Sequence, residues 1–508
     1  MKTRRIAILG GGTAGWLAAN HLGCELCADP EVEITVIESA DVPIIGVGEG
    51  TVPAIKTSLR KFGIGEADLI VGCDTTFKHG IKFQGWLDAA RHGAGHFYYH
   101  PFASPFPQGL DITPAWLERP DARPFSDVSA STRVAEAGRS PKAISSPPYA
   151  GEVEYAYHVN AHKFAALLAG NAKQRFRVQH RIATVVDAER DERGDITALT
   201  TAAGERLPFD FYVDCSGFAS LLTQRVLKVP FVDKSHQILT DTALVQQLPT
   251  DPADEIPPYT LAQAHEAGWI WDIPVMHRRG TGFVYASGTM SETRALELYA
   301  RYLGVSADAL SPRKIAMQIG YRPQAWFRNC VALGLAQGFV EPLEATSILV
   351  TDVAANLLSR NFPRQRDDAG VLRRAYNDAV TTTWERVIDF VQLHYHLSDR
   401  SDSAFWLENR RGAHLSDVLR ERLATWAIRH PLKSDFTSRF DLFDVDNHLY
   451  VLYGMRFATR PLPISDFERR ESLAQFEQVR RDSERAAREL PSHRDWLAGL
   501  KAACAANA

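Results

Sequence analysis

A glycine-rich turn near the start of the chain constrains the fold more than any other feature. Residues 6–9 form a short apolar run suited to a buried parallel strand, and Gly10-x-Gly12-x-x-Gly15 follows it directly and opens a helical pattern. Glycines at these places let the chain turn tightly and let backbone N–H groups approach a pyrophosphate, which is favoured at a helix N-terminus. The pattern predicts a dinucleotide-binding turn of Rossmann type; a tight turn without a ligand is the alternative.

An acidic residue follows at the spacing that this motif requires. A second apolar run, residues 32–37, ends in Glu38, 23 residues after Gly15. A carboxylate there accepts hydrogen bonds from ribose hydroxyls and repels a 2′-phosphate. We therefore expect FAD or NAD as the ligand rather than NADP.

Composition and charge argue against several classes of protein. The 508 residues include 57 Lys and Arg and 61 Asp and Glu, which gives a net charge of −4. A nucleic-acid-binding protein needs an excess of Lys and Arg to bind phosphates, and this chain has none. No apolar stretch approaches the roughly 18 residues of a spanning helix, and we expect a cytoplasmic protein without a membrane partner. Cysteine is too sparse for a disulfide framework, which indicates free thiols. The cysteines are Cys24, Cys27, Cys73, Cys215, Cys330 and Cys504.

The pattern along the chain predicts two domains. From about residue 105 to 150 the sequence is rich in Pro and Ser, which indicates a long surface excursion that covers or borders the active site without supplying a core. Predicted strands continue to about residue 350. Beyond it, residues 382–394 and 473–490 carry apolar side chains at helical spacing. We predict domains at residues 1–350 and 351–508, the second a mostly helical layer.

Two indoles at strand spacing, Trp269 and Trp271, stand in a Trp-x-Trp-x-Ile-Pro segment. By itself this pattern is typical of an aromatic ladder in a core. Together with the glycine turn, it resembles the flavin-dependent halogenases of the tryptophan halogenase family. The resemblance extends from Gly10 to beyond Trp406. The other matching segments are residues 38–39, 45–53, 77–78, 100–102, 156–158, 214–218, 329–334, 338–344 and 393–395.

The resemblance implies a fold, a cofactor and a partner. The fold is α/β, a Rossmann-type FAD-binding body of the glutathione-reductase-like flavin monooxygenase class with a mostly α-helical C-terminal substrate subdomain. Family members use FADH2, O2 and chloride or bromide to make hypohalous acid, which reaches an aromatic substrate through a tunnel. The chain has no second glycine motif of this kind, so a separate NAD(P)H-dependent flavin reductase would supply FADH2. The two indoles, here Trp269 and Trp271, would shield the flavin from substrate and so prevent hydroxylation.

Two residues match the catalytic residues of this family. Lys78 matches a lysine whose ammonium hydrogen-bonds hypohalous acid or whose free amine forms a haloamine, and burial readily lowers the pKa of a lysine. Glu344 matches a glutamate that orients the halogenating species or takes the proton from the ring, whose cationic intermediate a carboxylate also stabilises. A surface lysine and a structural glutamate are the alternatives.

The halide and FAD positions follow from the same resemblance. The halide would bind the backbone amides of Thr346 and Ser347, and Ala345 stands where many members have a serine. The residues that would contact FAD are Gly10, Gly12, Thr13, Ala14, Gly15, Glu38, Val47, Glu49, Gly50, Val185, Leu335 and Ile348.

The substrate positions match less completely. His100 and Phe102 match residues that sandwich the indole in tryptophan-specific members, and Phe443 is the candidate for a further aromatic wall. The apparent lid, residues 431–447, lacks the Tyr and Glu side chains that grip the amino-acid groups of tryptophan. We therefore expect an indole-like or another electron-rich aromatic substrate rather than free tryptophan.

Two other functions stay open from the sequence. A flavin-dependent aromatic monooxygenase would hold its substrate beside the flavin, which the Trp-x-Trp segment and Lys78 disfavour. A non-catalytic flavin-binding protein would keep the fold without turnover, which an intact pair of Lys78 and Glu344 disfavours. A monomer and a homodimer are both compatible with a chain of this size.

No metal site is predicted. His92, His96 and His100 have the spacing of a ligand stripe on a helix, but Gly93 and Pro101 disfavour a helix there.

Overall fold

The computed structural model describes residues 3–43, 46, 49–251 and 253–506. The described strands are β1 (Arg5–Leu9), β2 (Glu33–Glu38), β3 (Glu49–Gly50), β4 (Thr76–Lys78), β5 (Gly80–Gln84), β6 (Phe97–Pro101), β7 (Ala156–Val159), β8 (Gln179–Ile182), β9 (Val185–Arg190), β10 (Ile196–Thr201), β11 (Arg206–Pro208), β12 (Phe211–Asp214), β13 (Val232–Asp233), β14 (Thr242–Pro249), β15 (Thr260–His265), β16 (Gly268–Val275), β17 (Arg278–Tyr285), β18 (Arg313–Ala316), β19 (Gly320–Tyr321), β20 (Trp326–Phe327), β21 (Cys330–Ala332) and β22 (Gly338–Phe339). The described α-helices are α1 (Thr13–Leu26), α2 (Ile55–Phe62), α3 (Glu66–Gly72), α4 (Ala89–His92), α5 (Thr113–Leu117), α6 (Ser131–Glu136), α7 (Ala161–Phe176), α8 (Glu292–Leu303), α9 (Thr346–Arg360), α10 (Ala369–Leu397), α11 (Ala404–Asn409), α12 (Asp417–Ile428), α13 (Val445–Gly454), α14 (Asp466–Glu489) and α15 (His493–Ala506).

A six-stranded sheet in the order β20-β21-β12-β1-β2-β8 forms the nucleotide-binding unit. All neighbouring pairs are parallel except β20 with β21. The apolar run of β1 is buried from Ile6 to Leu9, as expected of a parallel strand covered on both faces. The predicted Rossmann-type strand, glycine turn and helix are confirmed.

Helix α9 is fixed to this unit by close packing and by buried polar contacts. α1 packs against both α7 and α9. His21 Nε2 of α1 lies 2.8 Å from Asp352 Oδ1 of α9, and Ser58 Oγ of α2 donates to Asp352 Oδ2 at 2.7 Å. The predicted domain boundary at residue 350 falls inside α9, so the helical layer starts on a helix that already belongs to the nucleotide-binding unit.

A seven-stranded sheet in the order β18-β14-β17-β16-β15-β5-β6 carries the Trp-x-Trp segment. Every residue of β16 is buried. Trp269 pairs with Val284 of β17 and Trp271 with Gly282, so the two indoles lie on one face of the strand, as their spacing predicts.

The Pro- and Ser-rich segment contributes to the core, and the prediction that it could not is wrong. Ile112, Trp116, Phe125 and Val128 are each at most 4% exposed and belong to the main hydrophobic cluster. These few large side chains have no regular period, so the pattern along the sequence gives no sign of their burial.

A buried carboxylate attaches the end of the same segment to α3. Glu66 Oε2 accepts from Lys142 Nζ at 2.8 Å and from the backbone N–H of Tyr149 at 2.7 Å. Glu66 Oε1 accepts from the hydroxyls of Tyr155 at 2.6 Å and Tyr157 at 2.7 Å. Two of these four hydrogen bonds, from Lys142 and Tyr149, anchor the segment itself, and the other two come from the residues that follow it.

The C-terminal part is helical, as predicted, and the two periodic stretches lie in α10 and at the end of α14. Helices α10 and α9 pack together, so the helical layer contacts the sheet unit directly. Among the described helices, none combines the length and the apolar character that crossing a bilayer requires.

Candidate active site

The glycine turn leaves polar groups free for a ligand. α1 begins at Thr13 after an extended Gly12, and within the described ranges no side chain caps its first N–H groups. Thr13 Oγ1 is buried without a hydrogen-bond partner among the described residues. A Cβ on Gly15 would lie 1.9 Å from Gly10 O, so only glycine allows the turn to close. This turn fits the pyrophosphate of FAD.

The predicted ribose ligand lies beside the same turn. Glu38 Oε2 lies 2.9 Å from His180 Nε2 and would be 2.1 Å from a Cβ on Gly11. The ring of His180 in turn meets Trp16 edge-on at 5.1 Å between ring centroids. The carboxylate is held against the turn, where a ribose hydroxyl would meet it.

A second turn closes on the first. Gly334, with φ of +62°, approaches so closely that a Cβ on it would lie 2.7 Å from Ala14 Cβ. This contact brings the half-exposed Leu335 next to the glycine turn. Ile348 is buried in the first turn of α9, and Val185 is buried at the start of β9. Val47 lies outside the described residues.

Lys78 is a fully buried cation. Its side chain is 0% exposed, and its Nζ donates to the carbonyl oxygen of Thr51 at 3.3 Å. The same Nζ lies 5.2 Å from the centroid of the Phe102 ring. Burial lowers the pKa of Lys78 to about 8, against the opposing effect of the negative charge on Glu344. Lys78 is therefore not a surface lysine, and its proton is labile near neutral pH.

A small sheet brings Lys78 to the loop of Glu344. β3 and β4 pair with opposite sides of β7, and the side chain of Lys78 in β4 extends to Gly50 in β3. A Cβ on Gly50 would lie 3.2 Å from Lys78 Nζ and 3.6 Å from Ala345 Cβ. Glu49 precedes Gly50 in β3. The predicted flavin segment, the lysine and the residue after Glu344 therefore converge on one point.

Two imidazoles flank the carboxylate of Glu344, which is 2% exposed. His100 Nδ1 lies 3.0 Å from both carboxylate oxygens, and His394 Nε2 lies 2.9 Å from Oε1. Burial would raise the pKa of Glu344, but His100 and His394 outweigh it and hold the pKa at about 2. Glu344 is therefore an anion at neutral pH.

The contacts of Glu344 continue outward on both sides. His100 Nε2 lies 3.0 Å from Asn447 Oδ1, and the Tyr98 hydroxyl lies 2.7 Å from His394 Nδ1. No pattern in the sequence predicts a role for Tyr98, His394 or Asn447. The segment 393–395 was part of the family resemblance, which was the one sign that His394 matters.

The start of α9 has the features of an anion site. Its cap residue Ala345 has φ of +54°, and no described side chain caps the first N–H groups, which include those of Thr346 and Ser347. Thr346 is 1% exposed, and its Oγ1 has no hydrogen-bond partner within the described part of the chain. A helix of 15 residues also places partial positive charge at this end. These groups fit a halide ion.

The two indoles of the Trp-x-Trp segment differ in their contacts. Trp269 Nε1 donates to Glu341 Oε1 at 3.2 Å. Trp271 Nε1 is buried without a partner in the described ranges, and its ring lies over Gly282, where a Cβ would come within 2.1 Å. The ring centroids are 6.2 Å apart.

The predicted aromatic walls lie at different depths. Phe102 is half-buried beside Lys78. Phe443 is 4% exposed and stacks on Phe390 at 4.2 Å between centroids, while Phe390 meets His100 edge-on at 5.7 Å. Phe443 is thus one ring removed from His100.

The three spaced histidines do not share a helix. His92 ends α4, whereas His100 lies in β6, and His92 Nε2 lies 2.9 Å from Asp399 Oδ2. Over residues 3–43, 46, 49–251 and 253–506, no group of three or more His, Cys, Asp or Glu side chains is arranged to hold a metal ion.

A cavity of about 590 Å³ lies between α10 and α12 and is separate from these residues. Its walls include Arg386, Arg422 and Asp441, and none of the predicted site residues lines it. Arg422 is already paired with Asp441.

Comparison with known proteins shows which family the chain belongs to. A family model described as tryptophan halogenase matches residues 5–466. Tryptophan 6-halogenase SttH of Streptomyces toxytricini is 32% identical over 98% of this chain and 99% of its own length. The crystal structure of a tryptophan halogenase from Shewanella frigidimarina NCIMB 400 superposes with a TM-score of 0.94, at 34% identity over 98% of each chain. Tar14, described as a tryptophan C-6 flavin-dependent halogenase (chlorinase) from taromycin biosynthesis, has a TM-score of 0.91, at 33% identity over 98% of this chain and all of the other. Because the family model covers most of the chain and a relative 32% identical matches it over nearly its whole length, the chain belongs to the tryptophan halogenase family of flavin-dependent enzymes.

Proposed function

We propose that this protein halogenates an electron-rich aromatic substrate of the indole type, using FADH2, O2 and chloride or bromide, with Lys78 and Glu344 as its catalytic residues. The observation that supports it best is the convergence of buried Lys78 with Gly50 and Ala345, next to Glu344. FAD would be held by the glycine turn, Glu38 and the segment around Gly50. When bound in reduced form, it supplies hypohalous acid from O2 and halide.

Lys78 receives and orients the hypohalous acid. With a pKa of about 8, it is mostly protonated at pH 7, so its ammonium can donate a hydrogen bond to the oxygen of the acid. In the part of the chain that the structure describes, Nζ donates to one acceptor, the carbonyl oxygen of Thr51, at 3.3 Å. An ammonium group has three hydrogens, so the oxidant can accept another of them.

Glu344 stabilises the positive charge that develops on the ring. Its pKa of about 2 keeps it anionic, and a buried anion acts strongly on a neighbouring cation because little water screens it. The ring proton then leaves toward this carboxylate, whose neighbours His100 and His394 are the ionisable groups closest to it.

The residues near the site favour an uncharged aromatic substrate. In the lid, residues 431–447, Asp435 is paired with Arg429 at 2.5 Å and Asp441 with Arg422. Asn447 faces His100 at 3.0 Å. Because these polar groups are already used within the protein, they are poor partners for the ammonium group of free tryptophan.

The test is an assay of the purified protein with FAD, a flavin reductase and NADH. Indole and tryptophan are supplied in parallel, in chloride or in bromide, and product masses are recorded. We expect indole to be halogenated, and we expect that low concentrations of tryptophan do not saturate the halogenation rate. Lys78→Ala should abolish product without changing the Kd for FAD. Lys82→Ala, which removes a lysine paired with Glu136 at 2.8 Å, is the matched control and should keep activity.

Each failure has a defined meaning. If tryptophan at low concentration is halogenated and indole is not, the substrate proposal is overturned. The substrate would then be the one that the names of the relatives state. Hydroxylated product that needs no halide favours a monooxygenase. Halogenation that survives Lys78→Ala shows that Lys78 is misassigned.

A further inference from the structure

A second buried carboxylate, Glu341, stands at the start of the turn that carries Glu344. Glu341 is 0% exposed. Its Oε1 accepts from Trp269 Nε1 at 3.2 Å and from the hydroxyl of Tyr395 at 2.5 Å, and its Oε2 accepts from Thr240 Oγ1. Three donors from distant parts of the chain therefore fix one side chain.

Two successive residues of α10, His394 and Tyr395, contact the two glutamates at the ends of this turn. Tyr395 contacts Glu341, and His394 lies 2.9 Å from Glu344 Oε1. The turn between them, Pro342–Glu344, is a single 3-10 turn that leads directly into the first amides of α9. A shift of Glu341 must therefore move Glu344 and the N–H groups predicted to bind the halide.

We propose that Trp269 is a positioning residue: through its indole N–H and Glu341, it sets the place of Glu344 and of the halide-binding amides. This role is separate from any shielding by its ring, and it rests on the proposed function. Through its hydrogen bond to Glu341, Trp269 links strand β16 to the turn that carries Glu344. The Trp-x-Trp motif therefore contributes a hydrogen bond as well as two large rings.

The chemistry of Glu341 makes the indole N–H important. Burial raises the pKa of Glu341 to about 7, although the three hydrogen bonds to the carboxylate oppose this. The groups that face it, Thr240, Trp269 and Tyr395, carry no charge near neutral pH, so hydrogen bonds alone stabilise the anion. Loss of one donor should raise the pKa of Glu341 further and leave it protonated at pH 7.

Trp271 provides a matched control within the same motif. Its Nε1 has no hydrogen-bond partner in the portion of the chain that the structure describes. It is as buried as Trp269, at 3% exposed against 1%. Trp→Phe at either position removes an N–H and part of the ring, but only Trp269→Phe removes a bond to Glu341.

The experiment compares Trp269→Phe with Trp271→Phe. Because such a lost hydrogen bond costs about 1.5–3 kcal/mol, we expect Trp269→Phe to lower kcat at least tenfold and to raise KM for the halide. The Kd for FAD should stay the same. Hydrogen exchange of peptides covering residues 338–350 should accelerate in Trp269→Phe alone. Equal kcat, equal KM for the halide and equal hydrogen exchange in the two variants overturn the positioning role.

Glu341 variants complete the test. Glu341→Gln keeps an oxygen acceptor for Trp269 and Tyr395, so we expect it to retain more activity than Glu341→Ala. Adding Trp269→Phe to Glu341→Ala should cost little more, because both remove the same interaction. Fully additive losses contradict the proposal. If wild-type protein gives no halogenated product at all, the proposed function fails, whereas the hydrogen-exchange comparison still decides the positioning role.

Discussion

His100 and Glu344 form a bidentate contact, with His100 Nδ1 3.0 Å from each carboxylate oxygen. Asn447 Nδ2 donates to Asp444 Oδ1 at 3.0 Å, so its Oδ1 faces the other ring nitrogen of His100. His100 thus has an oxygen atom within 3.0 Å of each ring nitrogen. The edge of its ring is used within the protein, and the rings of Phe390 and Tyr450 lie 5.7 and 6.3 Å from it between centroids. Its predicted role in binding the indole stays a prediction.

Halogenation should slow as the pH rises above about 8. Lys78 must be protonated to donate to hypohalous acid, and burial sets its pKa at about 8, so the active form is lost through that pH. The measurement is kcat between pH 6 and 10 at saturating halide, with Lys82→Ala as the control. A rate that instead rises through pH 8 contradicts the ammonium role and favours the free amine.

Replacing the imidazole beside Glu344 should shift the acid side of the pH profile. In His394→Asn, burial of Glu344 is opposed by His100 alone, so the pKa of Glu344 rises from about 2 and the acid limb of kcat moves to higher pH. Removal of one such electrostatic partner costs about tenfold or more in kcat. Tyr98→Phe removes only the hydroxyl that contacts His394 Nδ1 and should change kcat about fivefold, since a neutral hydrogen bond contributes about 1 kcal/mol. An unchanged acid limb in His394→Asn would show that His394 has no effect on the charge of Glu344.

Replacing Gly12 by alanine should weaken FAD binding without destabilising the fold. Nothing lies within 4 Å of a Cβ on Gly12, and its φ of −78° suits alanine. Gly12→Ala should therefore leave the free energy of unfolding within about 0.5 kcal/mol of wild type. It should weaken FAD binding, because the added methyl group lies where the pyrophosphate approaches.

Gly15→Ala should destabilise the fold itself. Its Cβ would lie 1.9 Å from the carbonyl oxygen of Gly10, which is backbone and cannot swing away. We expect a loss of about 2–4 kcal/mol in the free energy of unfolding, measured by urea denaturation without FAD. Equal stability of Gly12→Ala and Gly15→Ala would contradict this view of the turn.

Loss of the buried Lys142 should loosen the Pro- and Ser-rich segment. Lys142→Met leaves the carboxylate of Glu66 without its cation, and breaking a buried ion pair costs about 3 kcal/mol. Urea denaturation measures the change, and Lys173→Met, at an exposed position of α7, is the control expected to stay within about 0.5 kcal/mol. A loss no larger than that of the control would mean that Glu66 is held by its tyrosines alone.

Features that depend on neighbouring residues could be predicted from the sequence. The strand, turn and helix around Gly10, the shared face of Trp269 and Trp271, and the helical C-terminal part all follow from local steric rules and from periods of 2 and 3.6 residues. The position of Glu38 beside the turn follows because parallel strands end at one edge of a sheet. The resemblance also pointed to Lys78 and Glu344, whose roles stay proposals.

The environment of those residues was decided by the tertiary structure alone. His100 and Glu344 are 244 positions apart, and Trp269 and Glu341 are 72 apart, so no local period records their contacts. Burial likewise sets the pKa of Lys78 at about 8 and gives the irregular segment around Trp116 a place in the core. A sequence specifies which groups are present, but charge stabilisation and desolvation depend on which distant groups the fold brings within a few ångströms.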